Sequence, residues 1–308
     1  MNRLHRREFI CAGATLLAAS TIGVSGLLPT ASAIEPIQRP GPPKFKFSLA
    51  AYSYRSLLKA KPGQAAELTL SDFVKDCAAM QLDGTELTSY YFAPDVSDDD
   101  LRKLKAECFR LGLDVSGTAI GNNFCLPPGE ERDKQIANAK RWIERAAVLG
   151  APVIRIFSGN AGPGQDVAAA HKLAVQGMEE CCEYAGKHGV YLALENHGGL
   201  TATAQGMLKL VHDVKSPWFG VNLDSGNFHG NDAYGDLRQI APYALNVQVK
   251  VLIKYDGGKR KVPSDFKRLA GILKESGYRG YVVLEYEESP DPRIECPRYM
   301  KQLREAFA

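Results

Sequence analysis

The feature that most constrains the fold is a unit that recurs along the chain: a run rich in β-branched residues, a turn, and then an amphipathic helix. Eight such runs start roughly 25 to 40 residues apart, which is the spacing that a βα unit requires. Eight consecutive βα units predict a single-domain α/β fold, the (β/α)8 TIM barrel, over residues 45–308. The predicted strands cover residues 45–53, 82–88, 113–120, 151–159, 189–197, 218–226, 244–252 and 280–288.

The connecting segments agree with this prediction. Several helical segments end in a glycine directly before the next strand, as at Gly150 and Gly189, which is typical of a helix C-cap. A doubly wound open sheet is the competing fold. The count of eight units, and the lack of a GxGxxG pattern after the first strand, favour the barrel.

The first 33 residues have the pattern of a twin-arginine export signal. Arg6 and Arg7 precede an apolar stretch over residues 9–28, and "ASA" at residues 31–33 supplies a small-residue cleavage pattern. A membrane anchor is the alternative, although serines and glycines make the stretch weakly hydrophobic. We expect the twin-arginine translocon to export the chain to a periplasmic or extracellular location, with residues 34–44 as a proline-rich N-terminal tail.

Charge and cysteine content exclude few functions. The formal net charge of the whole chain is +3, and the signal holds three arginines and one glutamate, so the rest of the chain carries +1. A charge this near zero gives no indication of nucleic-acid binding. A basic stretch over residues 250–268 is interpreted as a solvated loop and helix face. No CxxC pair occurs, so we expect buried free thiols at the cysteines after the signal, which are Cys77, Cys108, Cys125, Cys181, Cys182 and Cys296.

The seventh predicted strand carries polar residues in an unexpected place. In "NVQVKV", Asn246, Gln248 and Lys250 share one face and three valines share the other. A parallel sheet is buried on both faces, so a polar row there is costly unless a site uses it. The pattern therefore indicates that this strand contributes to a functional site.

Acidic residues end the neighbouring strands. Glu195 ends the fifth strand, Asp224 the sixth and Glu285 lies in the eighth, on either side of Gln248 in the seventh. Barrel enzymes place their chemistry at these C-terminal strand ends. Acids this close raise one another's pKa unless a cation joins them, and oxygen donors suit Mg²⁺ or Mn²⁺. The sequence therefore predicts a divalent metal site. The alternative role for any single acid is to cap a helix or to form a salt bridge.

The motifs "LALENH", "VNLDSGN", "VQVK" and "VVLEYE" resemble those of the xylose isomerase-like TIM barrels, the sugar (phosphate) isomerase and epimerase group that includes the ketose 3-epimerases. The resemblance covers residues 45–308. It implies that one divalent ion, Mn or Mg with Co or Zn also possible, is bound by Glu195, Asp224, Gln248 and Glu285.

Gln248 departs from the pattern of this family, which usually has histidine at that position. A carboxamide oxygen is a weaker ligand than an imidazole nitrogen. We expect Gln248 to be a ligand or to lie one water away from the metal, and Lys250 to contact substrate oxygens. The departure also leaves open a site that has lost its metal.

The resemblance implies a metal-dependent sugar isomerase or epimerase that removes an α-proton and passes through an enediolate. Glu195 and Glu285 would be the catalytic pair that transfers the proton. Because export and the lack of a glycine-rich phosphate cradle argue against sugar phosphates, we expect a non-phosphorylated sugar or keto-sugar. The residues expected to bind it are Lys250, His197, Asn227, His229, Glu86 and Tyr52.

Three other functions are considered. A lyase or hydratase acting on a 3-keto-glycoside would use the same metal and base. A non-catalytic sugar-binding barrel is the alternative of another class. Abasic-site endonucleases share the barrel but need a histidine-rich zinc site, whereas only five histidines follow the signal here. We therefore expect a small-molecule partner, no nucleic acid, and a possible homo-oligomer.

Overall fold

The computed structural model describes residues 34–60 and 63–308. Eight parallel strands form a closed barrel, in the order β1-β10-β7-β6-β5-β4-β3-β2 around it. The strands are β1 (Lys44–Ala50), β2 (Gly84–Glu86), β3 (Asp114–Ala119), β4 (Val153–Ile156), β5 (Tyr191–Glu195), β6 (Phe219–Asp224), β7 (Ala244–Val249) and β10 (Arg279–Leu284). The predicted single-domain (β/α)8 fold is confirmed, and the predicted export signal lies outside the described residues.

All eight predicted strands are present, but each ends before its predicted C-terminal residue. The predicted fifth strand, for example, extends to residue 197, whereas β5 ends at Glu195. The residues that follow each paired strand form the loops of the barrel mouth. Because the alternating sequence pattern continues into these loops, the predicted strands extend too far.

An antiparallel hairpin follows β7 and was not predicted. It consists of β8 (Leu252–Tyr255) and β9 (Arg260–Pro263), within the basic stretch interpreted as a loop. Asp256, Gly257 and Gly258, in the four-residue loop between Tyr255 and Arg260, have φ angles of 55°, 67° and 90°. Turn residues of this kind between two strand patterns favour a hairpin, so this Asp-Gly-Gly run was the available sequence signal.

Helices surround the barrel and cover its outer face. They are α1 (Arg55–Leu58), α2 (Leu70–Ala79), α3 (Asp98–Arg110), α4 (Glu130–Leu149), α5 (Val167–His188), α6 (Ala204–Asp213), α7 (Ala233–Ile240), α8 (Phe266–Glu275) and α9 (Pro292–Phe307). Gly150 and Gly189 end α4 and α5 in the left-handed conformation, which confirms the C-cap prediction. Thr69 and Asp72 form a capping box at the start of α2.

The apolar core lies between the barrel and the helices. The six cysteines of the described residues are buried free thiols, as expected. Residues 34–44 run along the N-terminal end of the barrel, where the Arg39 guanidinium donates a 2.6 Å hydrogen bond to the carbonyl of Ala244. Among residues 34–60 and 63–308, no helix is both long and apolar enough to cross a membrane.

Replacement of Gly159 by alanine is expected to destabilise the loop after β4. Gly159 has φ +88°, and a Cβ there would lie 1.9 Å from Asn123 Oδ1, the acceptor for the Cys125 N–H. We expect the free energy of unfolding to fall by about 1–3 kcal/mol, measured by urea denaturation. Gly271→Ala in α8 is the control, because a Cβ there meets nothing within 4 Å and alanine favours the helix. An equal loss in both variants would contradict this prediction.

Candidate active site

A cavity of about 220 Å³ opens at the C-terminal end of the barrel. Glu195 and Glu285 reach it from β5 and from the end of β10, strands that stand three positions apart around the barrel. A small molecule in the cavity would therefore lie between two carboxyl groups. The residues that line it are Tyr52, Tyr90, Arg155, Phe157, Glu195, His197, Lys250, Glu285 and Glu287.

Glu195 is held in place by two neighbours. Arg155 Nε lies 2.8 Å from Glu195 Oε2, and Asn227 Nδ2 donates a 2.8 Å hydrogen bond to Glu195 Oε1. Arg155 extends inward from β4 and is itself fixed by a 2.6 Å hydrogen bond to the carbonyl of Ile120. Its guanidinium also lies 4.0 Å from the ring centroid of Phe157. The Glu195 carboxyl group thus has one orientation relative to the cavity.

Lys250, directly after β7, lies among three carboxyl groups. Its ammonium nitrogen is 2.6 Å from Glu285 Oε2, 2.8 Å from Glu287 Oε1 and 3.3 Å from Asp224 Oδ2. The side chain is buried, with 6% of the residue exposed. An ammonium group has three N–H donors, so Lys250 can direct one to each carboxyl group.

Gln248 belongs to a buried network at the base of the cavity, which we call the floor network: Glu86, Asn222, Asn246 and Gln248. Gln248 Nε2 donates to Glu86 Oε1 at 2.7 Å, and Gln248 Oε1 accepts from Asn222 Nδ2 at 2.6 Å. Asn246 Nδ2 donates to Glu86 Oε2 at 3.0 Å and to Asn222 Oδ1 at 2.9 Å. The polar face of β7 is thus used, although Gln248 and Asn246 point into the barrel rather than line the cavity.

Burial and charge perturb the acids of the site. Burial raises the pKa of Glu86 to about 7 and that of Asp224 to about 7. Burial also raises the pKa of Glu195 above its usual value, although the adjacent Arg155 opposes the shift. Glu287 behaves differently: burial would raise its pKa, but Lys250, together with Lys254 and Arg55, outweighs burial and lowers it.

The two cations of the site remain charged. Burial lowers the pKa of Lys250, but Asp224, Glu285 and Glu287 outweigh burial and raise it well above the ordinary value. Burial also lowers the pKa of Arg155, but Glu195, Tyr90 and Glu285 together outweigh burial and raise it. Two fixed positive charges therefore lie beside the cavity at neutral pH.

Aromatic rings and one neutral imidazole complete the cavity wall. The His197 ring packs at 4.4 Å, centroid to centroid, against Phe157. Burial and the nearby cations Arg155 and Lys250 lower the pKa of His197, so its imidazole is neutral at pH 7. Tyr52 and Tyr90 stand edge to face at the rim. Such a wall can stack on a sugar ring and exchange hydrogen bonds with its hydroxyl groups.

The structure brings together only part of the predicted set. Glu195, Glu285, Lys250, His197 and Tyr52 line the cavity. The remaining predicted residues lie behind or beside it: Glu86 and Gln248 are in the floor network, Asn227 holds Glu195, Asp224 lies beneath Lys250, and His229 packs beside the turn of the β8–β9 hairpin.

Four residues that line the cavity were not predicted as site residues: Tyr90, Arg155, Phe157 and Glu287. A signal existed for Arg155, because a charged residue within the apolar run "VIRIF" requires a buried partner.

The donor atoms that the resemblance assigns to a divalent metal are mostly engaged by protein groups. Both oxygens of Glu195 and the oxygen of Gln248 have partners, and Lys250 lies between Asp224 and Glu285. Among the atoms of the four residues so assigned in the structure, Asp224 Oδ2 is the one that is buried without a hydrogen bond. Within the part of the chain that the structure describes, no three His, Cys, Asp or Glu side chains are grouped to hold a metal ion. The residues as arranged do not fit a divalent ion.

Removal of the Arg155 charge is expected to destabilise the barrel. Arg155→Met would leave the buried Glu195 without its cation, and breaking a buried pair costs about 3–5 kcal/mol in the free energy of unfolding. Chemical denaturation at pH 7 measures this loss. Lys103→Met is the control, since Lys103 pairs with Asp99 on the exposed surface of α3. If both variants unfold at the wild-type denaturant concentration, the Arg155 pair is not structural.

A scan against protein families matches residues 74–304 to the family described as xylose isomerase-like TIM barrel. A search of curated proteins by sequence finds no match.

Solved structures with the same architecture are numerous. D-Psicose 3-epimerase from Clostridium cellulolyticum H10, solved with D-tagatose, has a TM-score of 0.70 at 17% identity, over 85% of this chain and 99% of that chain. The 3-keto-D-glucoside 4-epimerase from E. coli has a TM-score of 0.65 at 17% identity, over 85% and 100%. A probable 3-DHS dehydratase from Bacillus anthracis has a TM-score of 0.60 at 18% identity, over 84% and 98%. These likenesses show the fold.

Proposed function

Because the chain belongs to the xylose isomerase-like TIM barrel family, we propose that it is an isomerase or epimerase that moves a proton at the carbon beside a carbonyl group of a neutral sugar. The observation that carries this proposal is the pair Glu195 and Glu285. Both line one cavity from separate sides, and each contacts a buried cation, Arg155 or Lys250.

The proposed roles follow from this placement. One carboxylate removes the proton from the α-carbon, the electron pair of the C–H bond forms the C=C bond of an enediolate, and the carbonyl oxygen receives the displaced pair. The second carboxyl group returns a proton. Return to the opposite face of the same carbon inverts it, and return to the neighbouring carbon moves the carbonyl group. Raising the pKa of Glu195 by burial makes it a stronger base than an exposed carboxylate.

The charge of the cavity supports a neutral substrate. Three carboxyl groups line it, Glu195, Glu285 and Glu287, against two cations. Both cations, Arg155 and Lys250, already contact carboxyl groups. A phosphate entering this cavity would meet repulsion and would have to break an existing ion pair. We propose a free sugar or keto-sugar, which also agrees with the proposed export of the chain.

The reaction is assigned to the residues of the chain alone. The expected ligands Glu195, Asp224, Gln248 and Glu285 contact protein cations or amides, so no step is assigned to a metal. The neutral His197 and the ring of Tyr52 are proposed to bind sugar hydroxyl groups.

Deuterium exchange tests this proposal. The mature chain is incubated in D₂O with neutral ketoses, aldoses and 3-keto-glucosides, and proton NMR identifies the carbon that gains deuterium. We expect exchange at one carbon beside the carbonyl group, together with a new epimer or isomer. Release of a leaving group instead would assign the same proton abstraction to a lyase acting on a 3-keto-glycoside. Sugar binding without exchange at any carbon would contradict the proposal and indicate a non-catalytic binding barrel.

A further inference from the structure

We propose that the ammonium group of Lys250 is the resident cation of this site and stabilises the oxygen of the enediolate, the task that the resemblance assigns to a divalent metal. This inference rests on the function proposed above. It is carried by the position of Lys250, directly after β7, among Asp224 at the end of β6 and Glu285 and Glu287 after β10, the two strands that flank β7.

The position of Lys250 is built into the fold. Its backbone N–H donates a 2.9 Å hydrogen bond to Ser225 Oγ, and its carbonyl accepts a 2.6 Å hydrogen bond from Ser264 Oγ. The stem of the side chain lies against Gly226, where an added Cβ would be 2.9 Å from Lys250 Cδ and 3.0 Å from Lys250 Cβ. A glycine is thus needed for the lysine to reach the carboxyl groups.

The three contacts of the ammonium are unequal. Glu285 and Glu287 are at 2.6 and 2.8 Å, whereas Asp224 Oδ2 is at 3.3 Å and makes no hydrogen bond. Of the three contacts, the longest, to Asp224, costs the least free energy to break. A substrate oxygen in the cavity can take the N–H of this contact while Glu285 and Glu287 keep the ammonium in place. The donor is then fixed before the charge develops on the substrate, which is the condition for electrostatic stabilisation.

Gln248 supports the same inference independently. Its carboxamide oxygen accepts from Asn222 and its nitrogen donates to Glu86, both at full burial. If Gln248 turned its oxygen toward a metal, the amide of Asn222 would lose its acceptor and the carboxyl group of Glu86 would lose a donor. Buried polar groups without partners lower the stability of the fold. The residue at the usual histidine position therefore completes the floor network.

Charge argues against a metal beside Lys250. The ammonium supplies one positive charge, and a divalent ion bound by Asp224 and Glu285 would lie next to it in a buried site. Two adjacent cations repel strongly where water is excluded. The ion would have to displace the ammonium, which would then keep only the half-buried Glu287 as a carboxyl partner among residues 34–60 and 63–308.

Metal analysis of the wild-type chain tests the inference without a substrate. Protein purified without a metal-affinity tag and offered Mn²⁺, Mg²⁺, Co²⁺ and Zn²⁺ before desalting is expected to retain less than about one-tenth of an ion per chain. Retention of about one ion per chain would overturn the inference. Because this result is independent of the exchange assay, a protein that holds metal and exchanges protons would refute only the role of Lys250.

A matched pair of variants sharpens the test. Gln248→His alone keeps the ammonium, whereas Gln248→His/Lys250→Ala opens the position between the carboxyl groups. Titration calorimetry with Mn²⁺ is expected to show binding at least about tenfold tighter in the double variant. Equal and tight binding in both variants would show that Lys250 does not occupy the metal position.

Discussion

Glu195→Gln is expected to slow deuterium exchange by about 10²–10⁴-fold, the usual contribution of a general base, while sugar binding persists. A carboxamide has the shape of the carboxyl group but cannot accept the proton. It can still accept a hydrogen bond from Arg155 or Asn227 through its oxygen, so the cavity keeps its form.

The measurement is the initial rate of deuterium incorporation by NMR, with sugar binding followed by calorimetry. Glu183→Gln is the matched control, since Glu183 is exposed on α5 and forms a surface ion pair with Lys187. We expect the control to exchange at the wild-type rate. If Glu195→Gln also exchanged deuterium at the wild-type rate, Glu195 would not be the catalytic base, and Glu285 would become the candidate for that role.

Lys250→Met is expected to slow exchange by about 10²–10³-fold, the loss found when one donor to a developing oxyanion is removed. Methionine keeps most of the apolar stem against Gly226 but has no charge or N–H. Glu285, Glu287 and Asp224 would then lose their shared cation. Like charges left together in a buried site favour protonation, so we also expect the unfolding temperature at pH 7 to fall.

Lys254→Met in β8 is the control for this effect. Lys254 lies four residues further along the chain and does not line the cavity. We expect Lys254→Met to keep the wild-type exchange rate and unfolding temperature. Similar losses in both variants would indicate a general effect of the lost charge rather than a specific role for Lys250.

The barrel was predictable because its signals are local and repeated. Strand periodicity and the glycines that end α4 and α5 act within a few residues, so eight units could be counted without knowledge of their contacts. The β8–β9 hairpin was missed because charged residues such as Arg260 and Lys261 concealed its weak strand pattern. Only the turn residues Asp256, Gly257 and Gly258 marked it.

The site was predictable as a location but not as a set of contacts. The sequence places Glu195, Asp224 and Glu285 at strand ends, and the barrel topology brings those ends together. Whether Gln248 points to the cavity or to Glu86 depends on partners about 160 residues away, which no local pattern encodes. For the same reason the sequence could not show that Arg155 pairs with Glu195.

The most direct test of the account is the rate of deuterium incorporation beside the carbonyl group of a neutral sugar, measured in D₂O for chelator-treated wild-type protein. We expect the same rate with and without chelator, because Glu195 and Lys250 supply the base and the cation. The absence of deuterium from every carbon of a sugar that binds, with or without chelator, would contradict the central claim of proton transfer.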